Sequence, residues 1–170
     1  MSSGAFDTDL RHWKVAGGVL RDPEGGVLLV ENRRKNGSLD WSTPGGVVDE
    51  GESFVGALTR EVLEETGLEV SGWAGPLYRV EVTAPDLGFF LEVEAHLAMN
   101  SSGTIRLDDP DGIVVSAAFL SIELAAQKLG EAAAFVREPL LDHLRLAVGD
   151  GRTFRYQIHG SGGERRVERT

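Results

Sequence analysis

Residues 46–68 read GVVDEGESFVGALTREVLEETGL, and within them Arg60, Glu61, Val62, Leu63, Glu64, Glu65, Thr66 and Gly67 set three carboxylates at i, i+3 and i+4. On a helix of 3.6 residues per turn, positions 61, 64 and 65 fall within about 60 to 100 degrees of one another. Like charges so placed cost a few tenths of a kcal/mol per pair. The face is therefore either simply solvated or meant for a cation. The local signals for a helix from Ser53 to Thr66 are strong: Val55, Ala57, Leu58 and Val62 form one apolar stripe, Ser53 is an N-cap residue, and Gly67 stands where a C′ glycine ends a helix. Clustered hard oxygen donors suit Mg²⁺ or Mn²⁺, which combine carboxylates with waters and substrate phosphates.

The rest of the chain bounds the setting. It has 170 residues, 41% of them hydrophobic, enough for one domain with an ordinary core. Seventeen basic and 27 acidic residues give a formal charge of −10, a surface that repels a nucleic acid polymer. There is no cysteine, which excludes disulfides, thiolate metal sites and a cysteine nucleophile, and the four histidines have no metal-ligand spacing. No apolar run reaches the length of about 18 residues needed for a membrane helix, and the N-terminal residues lack a signal-peptide layout. A cytoplasmic protein without membrane attachment is the expectation.

Read outward from the helix, VAGGVL (15–20) and GVLLVE (26–31) are β-type runs joined by turn residues, which predicts a hairpin. Pro44-Gly45-Gly46 forces a bend after Trp41. LEVSGW, PLYRVEV and FFLEVEAHLA are β-like, the last with Leu91, Val93, Ala95 and Leu97 on one face. Residues 100–112 read as a loop and GIVVSAAFL as a strand; SIELAAQKLG reads as a helix, as does EPLLDHLRLAVG with Pro139 in its first turn, and RTFRYQIHG as a final edge strand. The expected division is a flexible N-terminus (1–12), one domain (13–160) and a flexible tail (161–170), the tail's basic GERRVERT having docking on the chain's own acidic surface as its alternative. The pattern predicts a mixed α/β sandwich.

Gly46, Glu52, Arg60-Glu61, Glu64-Glu65 and Gly67, with aliphatic residues between, resemble the Nudix box of the MutT/Nudix hydrolase family at every fixed position. Seven such matches in one register arise by chance on the order of once in a billion. The resemblance implies the Nudix αβα sandwich with a mixed β-sheet, the box forming a loop-helix-loop at the active site. It implies hydrolysis of a nucleoside diphosphate linked to X, with Mg²⁺ or Mn²⁺ as cofactor. Glu61, Glu64 and Glu65 look like the metal ligands, joined by the backbone carbonyl of Gly45, and Glu52 looks like the partner of Arg60. The general base is either a box carboxylate, Glu64 or Glu61, or a loop carboxylate, with Asp109 and Asp111 as candidates against a solvated turn.

The resemblance implies a small nucleoside diphosphate derivative as substrate: a MutT-like nucleoside triphosphate, ordinary or oxidised, first, then ADP-ribose or a nucleotide sugar, to which Pro85 is a weak pointer. Arg33 and Arg34 are candidates for phosphate or base contacts, and Phe89 and Phe90 for base stacking, against solvated-turn and core roles. Trp41 is core or pocket wall. The other class of reading is a nucleotide sensor without turnover, which has no need of a complete acidic face. A homodimer is compatible with the exposed strand edges.

Overall fold

Two sheets and three α-helices are built from these segments in the computed structural model, which describes residues 9–147 and 149–170. A six-stranded mixed sheet has the order β4-β1-β6-β5-β8-β9, formed by Gly45–Val47, Arg11–Val19, Phe89–Ser102, Glu69–Ala84, Arg152–His159 and Arg166–Arg169. A three-stranded antiparallel sheet has the order β3-β2-β7, formed by Leu39–Ser42, Val27–Arg33 and Val114–Leu120. The helices are α1 (Phe54–Thr66), α2 (Ile122–Lys128) and α3 (Ala134–Leu146). The mixed α/β sandwich expected from the sequence is present.

The four consecutive apolar residues Val27 to Val30 are all buried because the strand separates two cores. Val27 and Leu29 join the larger cluster with Val80, Val82, Leu140 and Tyr156, while Leu28 joins Ala16, Leu58, Val62 and Val70 under α1. Alternate residues of a strand point to opposite faces, so a strand buried on both sides reads as a continuous apolar run.

The predicted hairpin of the first two strands is corrected. They are joined only at the base of the Asp22 turn, by the Arg21–Val27 bridge and a hydrogen bond of 3.0 Å from Leu28 N–H to the Leu20 carbonyl. Beyond it they part, β1 pairing with β4 and in parallel with β6, β2 with β3 and β7. Period-2 alternation identifies a strand but not its neighbour, and a strand with two apolar faces is not restricted to the adjacent run. The Pro44 bend carries the chain from the small sheet (β3) into the large one (β4), where Gly18 N–H donates to the Pro44 carbonyl at 2.8 Å.

Five other expectations change. Val55 lies exposed on α1 and Thr66 takes its place among the buried positions. Pro139 stands inside α3 in its second turn, buried, so only the hydrogen bond to the Phe135 carbonyl is forgone. The β8 strand is not an edge, because β9 pairs with it from Tyr156↔Arg169 to His159↔Arg166. The tail read as flexible is thus partly that strand: Val167 packs on the core, and Arg169 covers the Phe154 ring at 4.9 Å and reaches Glu138 at 3.7 Å. At the other end the expected flexible segment overlaps β1 from Arg11, and its residues 1–8 lie outside the described residues. Among the described residues no helix is long and apolar enough to cross a membrane.

Candidate active site

The helix α1 is fixed at both ends by the residues that announced it. Ser53 Oγ accepts from Gly56 N–H at 2.9 Å, and Gly67, at φ 76°, donates to the Leu63 carbonyl at 2.9 Å. Burial of Ala57, Leu58 and Val62 then sets the rotation of the helix and turns residues 60, 61, 64 and 65 toward the Pro44–Glu52 segment.

Arg60 organises that segment. Its Nε and Nη2 donate to the two oxygens of Glu52, both at 2.9 Å, and Glu52 also accepts from Asp49 N–H at 3.0 Å. A bidentate fork holds geometry as well as charge. The same guanidinium donates through Nη1 to Glu61 at 2.9 Å and, more weakly, to Glu64 at 3.4 Å. The Arg60 bond holds the Glu52 carboxyl below the ordinary range, and Glu52 in turn raises Arg60. Burial pushes Glu61 upward against the opposing pull of Arg60.

Glu65 is the most perturbed of the set. Burial pushes its carboxyl up to about 8, with Glu61, Asp109 and Glu64 adding to the rise, while a 2.9 Å hydrogen bond from Gly45 N–H opposes it. The close approach of β4 to the helix requires glycine. A Cβ on Gly46 would lie 2.5 Å from the Glu61 carboxyl carbon, and Gly45, at φ 151°, sits so close to β1 that a Cβ would run into the Ala16 carbonyl.

These groups form one wall of a cleft of about 580 Å³ between the sheets. Its lining brings together the charged Glu61, Glu65, Arg60, Asp49, Asp109 and Asp111, the polar Asn32, Ser42 and Thr43, and the apolar Val80, Leu91, Val93, Phe135 and Val136. Gly45 and Arg34 also line it, Arg34 in a bidentate pair with Asp40 at 2.6 and 2.8 Å. Glu64 does not line this cleft but a smaller depression of about 190 Å³ shared with Arg106 and Asp108, with one carboxylate oxygen 3.4 Å from Arg60.

Other candidates are not brought to the cleft. Arg33 lies exposed on the opposite face of β2 from Asn32 and Arg34, as alternation demands. Phe89 packs on the larger core, and Phe90 points outward with its ring centroid 5.0 Å from that of His12. Trp41 packs on the core beneath Lys128, and Pro85 is exposed at the start of the β5–β6 turn. The two loop carboxylates differ. Asp109 accepts from Asp111, Ile113 and Val114 N–H at 3.2, 2.8 and 3.0 Å, so it shapes the turn, whereas Asp111 makes no side-chain hydrogen bond among the described residues. Asn32, Phe135 and Val136 are cleft residues the sequence reading missed. Alternation marked Leu91 and Val93 as inward-facing but carried no sign that inward meant the cleft.

The donor chemistry fits a hard divalent cation. A buried carboxylate held well above its normal pKa marks negative charge short of compensation, and Glu61 and Glu65 supply oxygens from one face. Among the described residues no three acidic or histidine side chains converge into a finished cage, since Glu61 turns to Arg60 and Glu65 to Gly45. Mg²⁺ does not need such a cage, because it commonly completes its shell with water and substrate phosphate.

Comparison with known proteins agrees with this geometry. A family model described as the NUDIX domain matches residues 11–143. The Nucleoside diphosphate-linked moiety X motif 6 protein of Xenopus laevis is 48% identical over 54 residues, 32% of this chain and 24% of that protein. An RNA pyrophosphohydrolase of Caulobacter vibrioides is 41% identical over 58 residues, 34% of each. The chain thus spans between about a quarter and a third of the length of these curated relatives. Among solved structures, a NUDIX hydrolase from Nitrosomonas europaea superposes with a TM-score of 0.68 at 22% identity, over 78% of this chain and 88% of that one, a likeness of fold.

Proposed function

The chain belongs to the NUDIX family, and from that premise we propose that it is a metal-dependent pyrophosphohydrolase of nucleoside diphosphate derivatives, with a nucleoside triphosphate as the leading substrate. The observation that carries the reading is one cleft lined both by carboxylates, Glu61, Glu65, Asp109 and Asp111, and by apolar side chains, Val80, Leu91, Val93, Phe135 and Val136. A phosphate chain with its cation needs the first, and a nucleobase needs the second. The cleft volume of about 580 Å³ lies in the usual range for small-molecule sites.

In this reading Glu61, Glu64 and Glu65 hold the cation with the Gly45 carbonyl. When bound there, a divalent ion would neutralise phosphate charge and lower the pKa of a water. Arg60 holds Glu61 in place and, through Glu52, keeps the Val48–Glu52 loop against the helix. The proton passes to Glu64 or Asp111; Asp109 is a poor base, because three backbone N–H groups occupy its oxygens. Leu91, Val93 and Phe135 exclude water from the nucleobase.

A nucleoside triphosphate ranks above ADP-ribose because Pro85, the feature that suggested the latter, is outside the cleft. RNA enters only through the printed name of the Caulobacter relative, and the charge of −10 opposes a polyanion. The test is release of phosphate or pyrophosphate from a panel of dNTPs, 8-oxo-dGTP, ADP-ribose, NADH and diadenosine polyphosphates with Mg²⁺ or Mn²⁺. Turnover of at least one substrate, lost in Glu65→Gln, is expected. Binding without turnover across the panel would replace the hydrolase with a nucleotide sensor.

A further inference from the structure

Asn32 is buried to 95% and lines the cleft, yet nothing in the family box points to it. It sits where the β2–β7 register shifts, between Glu31 and Asn32, and such irregularities re-aim side chains. The direction of its amide follows from a count of protons. Ser42 Oγ spends its hydrogen on the Thr43 carbonyl at 3.1 Å, so at 2.9 Å from Asn32 it accepts. Asp40, both of whose carboxylate oxygens accept from Arg34, presents one of them at 3.3 Å and its backbone carbonyl at 3.5 Å, and both only accept. Three acceptors on one side require the NH₂ group there.

The carbonyl oxygen of Asn32 is then left facing the other way, and no group among the described residues donates to it. Among the described residues every fully buried side-chain nitrogen or oxygen has a partner, so this oxygen opens onto the cleft. A polar acceptor held rigid in a largely buried place is costly to leave unpaired once a ligand has displaced its water.

We infer that Asn32 is a specificity-determining residue, whose fixed side-chain oxygen accepts a hydrogen bond from a neutral donor on the nucleoside. A phosphate is excluded as its partner, because phosphate oxygens only accept at neutral pH. Two groups of a nucleotide have the right chemistry, a ribose hydroxyl and an N–H on the base edge. The Arg34–Asp40–Asn32–Ser42–Thr43 chain is the device that prevents the amide from flipping to present a donor instead. This inference rests on the reading of the cleft as a nucleotide site.

The test measures kcat/KM and, by calorimetry, affinity for the corresponding monophosphates, in the wild type and in Asn32→Leu, whose side chain is similar in size but has no acceptor. GTP, dGTP and dideoxy-GTP vary the sugar donors; GTP, ITP, ATP and purine riboside triphosphate vary the base donors. In the wild type one series loses about tenfold when its donor is removed, the size of one buried hydrogen bond. In Asn32→Leu that ratio collapses toward one, and the series in which it does so identifies the donor. A merely structural role for Asn32 lowers all affinities together and leaves every ratio unchanged, which would overturn the inference. If the wild type binds no nucleotide, the functional reading itself fails, an outcome distinct from binding and turnover with ratios indifferent to position 32.

Discussion

Gly46 carries no functional group, yet it decides where Glu61 can be. A methyl at this position would sit 2.5 Å from the carboxyl carbon and 2.6 Å from one oxygen of Glu61, and the obstacle is the far end of a flexible side chain rather than backbone. Gly46→Ala is therefore expected to fold while displacing the carboxylate from Arg60 and the cleft. Since misplacement by about 1 Å can cost a hundredfold, kcat/KM should fall about tenfold to a hundredfold. The thermal midpoint should move little. Wild-type kinetics in that variant would show that Glu61 does not need its present position. Gly45 makes the instructive contrast: its left-handed φ of 151° and the Ala16 backbone leave no room for a side chain, so alanine there strains the β1–β4 pairing itself. The two glycines look alike in the sequence, but one protects a site and the other a sheet.

At the scale of elements, legibility tracked whether the information was local. The α1 helix was readable because its cap, stripe and C′ glycine all lie within fifteen residues, and its carboxylates inherit the face those features set. Strand partners were not readable, because β1 finds β6 with paired residues 78 positions apart (Arg11↔Phe89), and nothing in VAGGVL encodes that choice. Asn32 was hidden for a related reason: its meaning comes from Asp40 and Ser42 across a strand pair. The basic tail was misread because its composition suits disorder as well as an edge strand over acidic neighbours. That strand yields a prediction. Truncation after Ser161 removes Val167 from the core, Arg169 from Phe154, Glu138 and Asp142, and the hydrogen-bonding partner of β8. The loss should be about 1 to 3 kcal/mol, mostly from apolar burial because exposed ion pairs contribute little. Urea denaturation measures it, and sedimentation should detect association through the uncovered β8 edge. An unchanged urea midpoint would mean that β9 adds no stability.

At the scale of the whole molecule, the buried Glu65 carboxylate is a cost to the fold when ionised, and the cost depends on pH. Glu65 has a folded pKa raised from 4.5 to about 8 by burial, so the native state binds its proton more tightly than the unfolded chain does. Its favourable contribution is fully present below about 4.5 and is lost as pH rises toward about 8. Glu52 and Asp150 work in the opposite sense, since Arg60 and Arg152 lower their pKa values, Asp150 to about 2. Their stabilisation is present above the unfolded pKa values and is lost only as acid titrates the folded groups. The two windows are thus separated, with Glu65 governing the range between about pH 5 and about pH 8. In EDTA the wild type should lose stability across this range, and Glu65→Gln should lose markedly less, because its amide does not ionise. Millimolar Mg²⁺ should restore stability at about pH 8 and do little at about pH 5, where protons compete for the carboxylate. Urea midpoints at three pH values, with and without Mg²⁺, measure this in the absence of any substrate. Parallel pH profiles of wild type and Glu65→Gln would show that Glu65 is not a strained buried carboxylate, and with it would go the argument that this wall of the cleft is built for a cation.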